Sequence, residues 1–290
     1  MTPTTKLVKQ QIQEEMEALT PSERQLASIL LQDYPMGGLQ SITKLANAAS
    51  VSTPTVIRMA RKLGFDGFPA LQDALRDEVA AQIKKPIAKR DAWVVDEGAE
   101  HPLTRFAQTA WTNMRHTLDR IDTGMFDAVA TLLADTARPL YVVGGRITRS
   151  NADYLYNHMQ IIRPNVTMLG NSANVWPQYL LDMDEASVLV IFDIRRYEAH
   201  LAKLAQIASE RGVTVVLFTD QWGSPIARSA RHTFNSLVEA PSSWDSTLAL
   251  MLIVEALIAE VQDARWEQSK ERIEELEAMF SSTRLFRGQG

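Results

Sequence analysis

The stretch "LANAASVSTPTVIRMARKLGF", Leu45 to Phe65, decides how the first third of the chain folds. Two short helices that pack closely need a small residue inside the first and apolar residues at set places on both. Ala46 is that small residue, and Leu45, Ala49, Val51, Val56 and Met59 take the apolar places. Ser50 stands at the tight turn, where glycine is commonest. Ser52 is a natural N-cap for the second helix, and Pro54 falls in its first turn. The spacing therefore predicts a helix over Thr53 to Leu63. Val56 and Met59 form its buried side. Pro54, Arg58, Arg61 and Lys62 lie on the other side, three and four residues apart and so adjacent in space.

From Tyr34 to Phe65 the chain holds Lys44, Arg58, Arg61 and Lys62 and no acidic residue, although the whole protein has a net charge of -5. Residues 1–90 carry a net +3 and the remainder a net -8. Such asymmetry points to nucleic acid on the basic side. The pattern is that of a helix-turn-helix, in which the second helix enters the DNA major groove. Its first residues meet base edges, and basic residues further on reach bases or phosphates. The expected DNA-binding set is Lys44, Ser52, Thr53, Pro54, Thr55, Arg58, Arg61 and Lys62. Thr53 and Thr55 supply hydroxyls, and Arg58 can fork onto a guanine. The plain alternative is a helical hairpin with a solvated basic face; the coincidence of small, apolar and basic positions favours DNA.

Outward from this core, "LTPSERQLASILLQD" opens another helix with a capping box, Thr20 at the cap and Glu23 at the third position. "FPALQDALRDEVAAQI" is a further amphipathic helix. Residues 1–83 thus read as an all-α domain. Residues 84–101, "KKPIAKRDAWVVDEGAEH", mix charge, Pro and Gly without periodicity and read as a linker. Leu103 to Ala134 reads as helix. Four short β-branched runs follow, "PLYVV", "NVTML", "SVLVIF" and "VTVVLF", separated by helical stretches. Continuous apolar strands alternating with helices predict a parallel sheet flanked by helices, so 102–290 is an α/β domain. The tail "ARWEQSKERIEELEAMF" reads as a charged amphipathic helix.

Other classes are disfavoured. No apolar run reaches the roughly 18–20 residues that span a bilayer. The N-terminus lacks the apolar core of a secretory signal, and cytoplasmic location is the expectation. With no cysteine there is no thiolate chemistry, and the five histidines fall in no metal-type spacing. No cofactor is expected.

The segment "SITKLANAASVSTPTVIRMARKLGFDGFPALQ", with "LTPSERQLASILL" before it, resembles the N-terminal domain of the RpiR family of bacterial transcriptional regulators. "LYVVGGRITRSNADYLYNHM" and "TD...SPIA..A", Thr219 to Ala230, are similar to parts of the sugar isomerase (SIS) domain that such regulators carry. The resemblance implies a double-stranded DNA operator, an anionic effector such as a sugar phosphate or sugar acid, and no catalysis. An open parallel sheet binds ligands beyond its strand ends, at the switch in strand order. Two turns face that place, "GGRITRS" and "DIRRYE", and the resemblance puts "EAPSSWDS" where an SIS domain often closes its crevice. The expected ligand set is Gly144, Arg146, Thr148, Arg149, Asp193, Arg195, Arg196, Glu198, Ser242 and Ser243. This chain departs from the family pattern, because arginines replace most hydroxyls of the two turns. Two readings stay open. The arginines form an anion clamp, or Arg195 and Arg196 pair with Asp193 and Glu198 in a structural knot. Ser242 and Ser243 are weaker candidates, with capping of the helix from Thr247 as their alternative role.

Three rival functions compete with this one. An SIS-type isomerase needs a base, for which Glu198 and His200 are nearest, and leaves the DNA-binding half unexplained. A nicotinamide enzyme lacks its glycine fingerprint. A DNA-binding protein whose second half only oligomerises remains in play. Two-fold symmetric half-sites predict a homodimer or homotetramer.

Overall fold

A computed structural model of the chain describes residues 7–32, 34–83, 89 and 101–283. The chain divides into two compact units, Met1–Lys85 and Pro86–Gly290. The linker read at 84–101 lies outside the described residues apart from Lys89 and His101.

Among the described residues of the first unit every element is helical: α1 Val8–Glu14, α2 Pro21–Gln32, a short 3-10 turn Met36–Leu39, α3 Ile42–Ala48, α4 Thr53–Lys62 and α5 Phe68–Ile83. The capping box forms as predicted. The Thr20 N–H donates to Glu23 Oε2 at 2.9 Å, and the Glu23 N–H donates to Thr20 Oγ1 at 3.4 Å. Leu26, Leu30, Leu45, Val56, Met59, Leu71 and Leu75 fill one core. Each such burial stabilises by about 1.5–3 kcal/mol before entropy is counted. Buried Glu78 closes the unit. Its Oε1 accepts from the Val8 N–H at 2.7 Å, and the Tyr34 hydroxyl donates to its other oxygen. Burial raises the pKa of both Glu78 and Tyr34.

The turn between α3 and α4 is a helix C-cap of the Schellman type. The Val51 N–H donates to Ala46 O at 2.9 Å and the Ser50 N–H to Asn47 O at 3.0 Å. That geometry puts Ser50 at φ 51, in the left-handed region. Glycine is commonest at this position because of that angle. After α4 the same motif recurs with a true glycine, Gly64, at φ 90.

The second unit runs α6 Pro102–Leu118, α7 Thr123–Ala134, β1 Leu140–Gly144, α8 Arg149–Ile162, β2 Val166–Met168, α9 Trp176–Asp182, β3 Val188–Asp193 and α10 Ala199–Glu210. It continues with β4 Thr214–Asp220, β5 His232–Ser236, α11 Leu248–Ala264 and α12 Trp266–Thr283. Two expectations need correction. The helix read from Leu103 to Ala134 is broken, because Asp122 caps a new helix, its Oδ1 accepting from the Gly124 and Met125 N–H groups. A fifth strand, "HTFNS", also exists; its polar edge residues hid it from a search for apolar runs.

All five strands are parallel, in the order β2-β1-β3-β4-β5. Alternate residues feed two cores. Val142, Val190, Phe192, Val216 and Phe218 meet Leu133, Leu155, Met159, Ile253 and Leu257 on one face. Val143, Leu189, Ile191, Val215 and Leu217 meet Trp176, Leu180, Leu201 and Leu204 on the other. Both faces being covered explains why the strands read as unbroken apolar runs. The chain leaves β1 toward β2 and then crosses to β3 on β1's other side. That reversal splays the loops after β1 and β3 and opens a crevice there.

Candidate functional site

In the first unit, α4 presents Pro54, Arg58 and Arg61 on one exposed face, with Ser52 and Lys44 exposed nearby and Thr53 half-buried. Ser52 holds the N-cap position, but its side chain does not cap the backbone. Its hydroxyl lies 2.9 Å from Thr55 Oγ1, and Thr55 Oγ1 also accepts from an Arg58 Nη at 3.1 Å. Thr55 is buried, so its hydroxyl orients Arg58 rather than offering itself to a partner. Lys62 is exposed, and its ammonium is also engaged within the unit. Its Nζ sits 2.7 Å from Glu23 Oε2 and 3.3 Å from Ala18 O, which fastens α4 to α2. Burial alone would raise the Glu23 pKa, but the bonds from Lys62 and Thr20 bring it below the usual carboxylate value.

In the second unit the crevice holds a cavity of about 530 Å³. Its lining includes Gly144, Arg146 and Arg149 from the first turn, Asn171 and Trp176 after β2, and Glu198 and His200 after β3. Gly144 is needed because a Cβ there would lie 2.5 Å from the Thr148 carbonyl oxygen. Arg149 reaches the wall through two anchors, Asp153 Oδ1 at 3.0 Å and Leu169 O at 2.7 Å. Arg146 is exposed. Glu198 Oε1 accepts from the Arg146 N–H at 2.7 Å.

The remaining expected ligand residues lie away from the cavity lining. Thr148 is buried; its hydroxyl accepts from the Gly145 N–H at 2.9 Å and donates to Phe192 O at 2.7 Å, pinning the first turn to β3. Asp193 is buried too, with its Oδ2 accepting from the Ser224 hydroxyl at 2.5 Å. Burial pushes its pKa up to about 6, the Ser224 bond opposing. Arg195 is turned over Trp222, 4.0 Å from the ring centroid, and pairs with Asp245 at 2.6 Å and Glu239 at 3.7 Å. A structural knot therefore exists around Arg195, but its acids are Asp245 and Glu239, not Asp193 and Glu198. Arg196 is exposed at φ 56 and outside the lining.

Asp220 at the end of β4 stiffens the same loop. It accepts from the Arg195 N–H at 2.6 Å and from the Tyr197 hydroxyl at 2.7 Å, and burial raises its pKa. Ser242 Oγ accepts from the Trp244 N–H, and Ser246 rather than Ser242 or Ser243 meets the start of α11. Sequence reasoning missed Gly145, Gly170, Asn171, Ala173 and Trp176. The signal was available: β2 ends beside β1, so the "GNSANVW" turn had to face the same crevice.

Comparison with known proteins matches this division of labour. Residues 6–82 fit the model of the helix-turn-helix domain, rpiR family, and residues 133–260 fit the SIS domain. The transcriptional regulator HexR of Escherichia coli is 25% identical over 256 residues, 86% of this chain and 85% of that one. HexR of Pseudomonas aeruginosa is 26% identical over 225 residues, 76% and 75% of the two chains. Among solved structures, the sugar isomerase domain of an RpiR transcription factor from Sphaerobacter thermophilus matches with a TM-score of 0.58 at 20% identity, covering 62% of this chain and 99% of that one. The Vibrio vulnificus NanR protein, solved with ManNAc-6P, matches with a TM-score of 0.56 at 16% identity over 97% and 100%. A helix-turn-helix unit of this type followed by an SIS unit makes the chain a transcriptional regulator, and it belongs to the RpiR family.

Proposed function

We propose that the protein binds an operator through α4 and adjusts that binding to an anionic metabolite, a sugar phosphate or sugar acid, held in the β1–β3 crevice. The observation that carries this reading is the open cavity at the switch point, with exposed Arg146 and anchored Arg149 in its wall. Guanidinium groups match phosphate and carboxylate geometry. The NanR relative, solved with a phosphosugar, supports the same ligand class. On the DNA side, Arg58 and Arg61 reach base edges or phosphates, with Lys44, Ser52, Thr53 and Pro54 along the contact. The protein acts as a homodimer or homotetramer on paired half-sites, and regulation rather than isomerisation is its task.

A second reading has one observation behind it. Arg195, Tyr197 and Asp220 stiffen the loop after β3 from within, as suits a unit that only oligomerises. A thermal-shift screen of the full chain with sugar phosphates, sugar acids and dicarboxylates separates the two. A rise in melting temperature with one class, together with a changed operator affinity, supports sensing. No rise with any class leaves the oligomerising reading.

A further inference from the structure

Glu198 is the N-cap residue of α10, yet its side chain makes no capping bond to that helix. It crosses the crevice instead. Its Oε1 accepts from the Arg146 N–H at 2.7 Å, in the turn that follows β1. Gly145 makes room for this crossing, since a Cβ there would lie 2.8 Å from the same oxygen. The loop of β3 is thus joined to the loop of β1 by one carboxylate. That carboxylate lines the cavity together with Arg146, Arg149 and His200.

A backbone N–H in a cavity that Arg146 and Arg149 also line is suited to a ligand's negative charge. Here the chain's own negative charge already holds it. A phosphate or carboxylate arriving at this N–H meets Glu198 within hydrogen-bond distance, where two anions repel strongly. Glu198 can leave without breaking the fold. It is half-buried, at the mouth of an open cavity, and water can solvate it once it swings out. The bond it gives up ties the tip of one loop to the other, while Thr148 and Gly145 keep the base of the first turn on Phe192 of β3.

We propose that Glu198 is a built-in anion that a ligand's acid group must displace, making it the residue that sets which anions the crevice accepts. This rests on the crevice being the effector site. A bare small anion binds weakly, because it must replace an equivalent contact. A ligand succeeds when other parts of it make further contacts with the cavity wall, as with a sugar carrying an acid group. Glu198 is therefore a selectivity residue, and its removal relaxes the choice of ligand.

The test uses the full chain and inorganic phosphate as the probe, read by titration calorimetry, for the native protein, Glu198→Gln and Glu198→Ala. All six tryptophans lie in residues 93–266, so their fluorescence on heating reports the folding of the second unit alone. With a charge-assisted contact no longer to be displaced, both variants bind phosphate at least about tenfold more tightly than the native chain. Arg146→Ala placed on Glu198→Gln removes part of that gain. Equal phosphate affinity in all three proteins, or weaker affinity in folded variants, overturns the proposal. If the native chain still responds to a sugar acid in the screen above, sensing survives that result. If neither phosphate nor any screened anion binds any of the proteins, the sensing reading fails with it. A purely structural Glu198 lowers the melting temperature of both variants and leaves phosphate affinity unimproved.

Discussion

Lys89 places its ammonium 2.5 Å from the Asp245 carboxylate, and only 4% of the Lys89 side chain remains exposed. Asp245 also holds Arg195 at 2.6 Å, so one half-buried carboxylate serves a linker cation and a cation of the crevice loop. Removing it takes an ion-pair partner from both, although Arg195 keeps Glu239 at 3.7 Å and the Trp222 ring. Asp245→Asn is expected to destabilise the second unit by about 3–5 kcal/mol, the cost of leaving buried charge without its partner. Tryptophan fluorescence melting measures this directly. The same variant should be cut faster by trypsin after the basic residues of 84–90. Unchanged melting and unchanged cleavage would show that the pair anchors nothing.

Ser50 holds a left-handed angle that L-residues adopt at a cost of roughly 1–2 kcal/mol, partly offset by glycine's own entropy on folding. Ser50→Gly should therefore stabilise the first unit by about 0.5–1 kcal/mol. Operator affinity should stay within about twofold, since the turn keeps its shape. Ser50→Val should shift the denaturation midpoint in the opposite direction. Far-UV circular dichroism reads both units, and tryptophan fluorescence of the second unit, recorded beside it, separates out the transition of the first.

Arg58 and Lys62 should separate reading from holding. Arg58 is exposed on the face of α4, whereas Lys62 spends its charge on Glu23. Arg58→Ala is expected to cost about 1–3 kcal/mol at the cognate operator and little stability. Lys62→Ala should cost about 1 kcal/mol of stability, kept small because the lysine is 40% exposed. Fluorescence anisotropy on cognate and random duplexes, beside denaturant melts, distinguishes the two. Equal losses for Arg58→Ala on both duplexes would mean contact with phosphate only.

Asp193 makes the second unit sensitive to pH. Its pKa in the folded state is raised to about 6 from an ordinary 3.8, chiefly by burial. The folded protein thus holds this proton more tightly than the unfolded chain. The stability it contributes is present below pH 3.8 and is lost as pH rises through about 6, on the order of 3 kcal/mol. Asp193→Asn stays neutral throughout. Its melting temperature relative to the native chain should rise between pH 4 and pH 7. Parallel curves would remove Asp193 from the account.

The helix-turn-helix was legible because its signal is local. Ala46, Ser50, Ser52 and Val56 lie within one short stretch, and their spacing alone fixes the turn. The apolar strands were legible for a similar reason, since burial on both faces forces a continuous run. The partners of charged side chains were not. Arg195 meets Asp245 from fifty residues away, and Lys62 meets Glu23 from thirty-nine. Sequence neighbours such as Asp193 suggested themselves instead, but the left-handed angles of Arg195 and Arg196 turn that loop away from them. Strand β5 was hidden because only alternate residues of an edge strand, here Phe234 and Ser236, need be buried.

Glu78 also fixes an order of events. Its bonds to Val8 and Tyr34 complete the first core, so every contact that core needs is present once α5 has been made. The sheet is different. β1 must wait for β3, whose Val190 pairs with Val142, and its flanking α11 arrives later still. Helical units close in microseconds to milliseconds, whereas synthesis of the remaining roughly two hundred residues takes on the order of 10–40 s. A growing chain therefore carries a finished helix-turn-helix unit well before the sheet of its second unit can close.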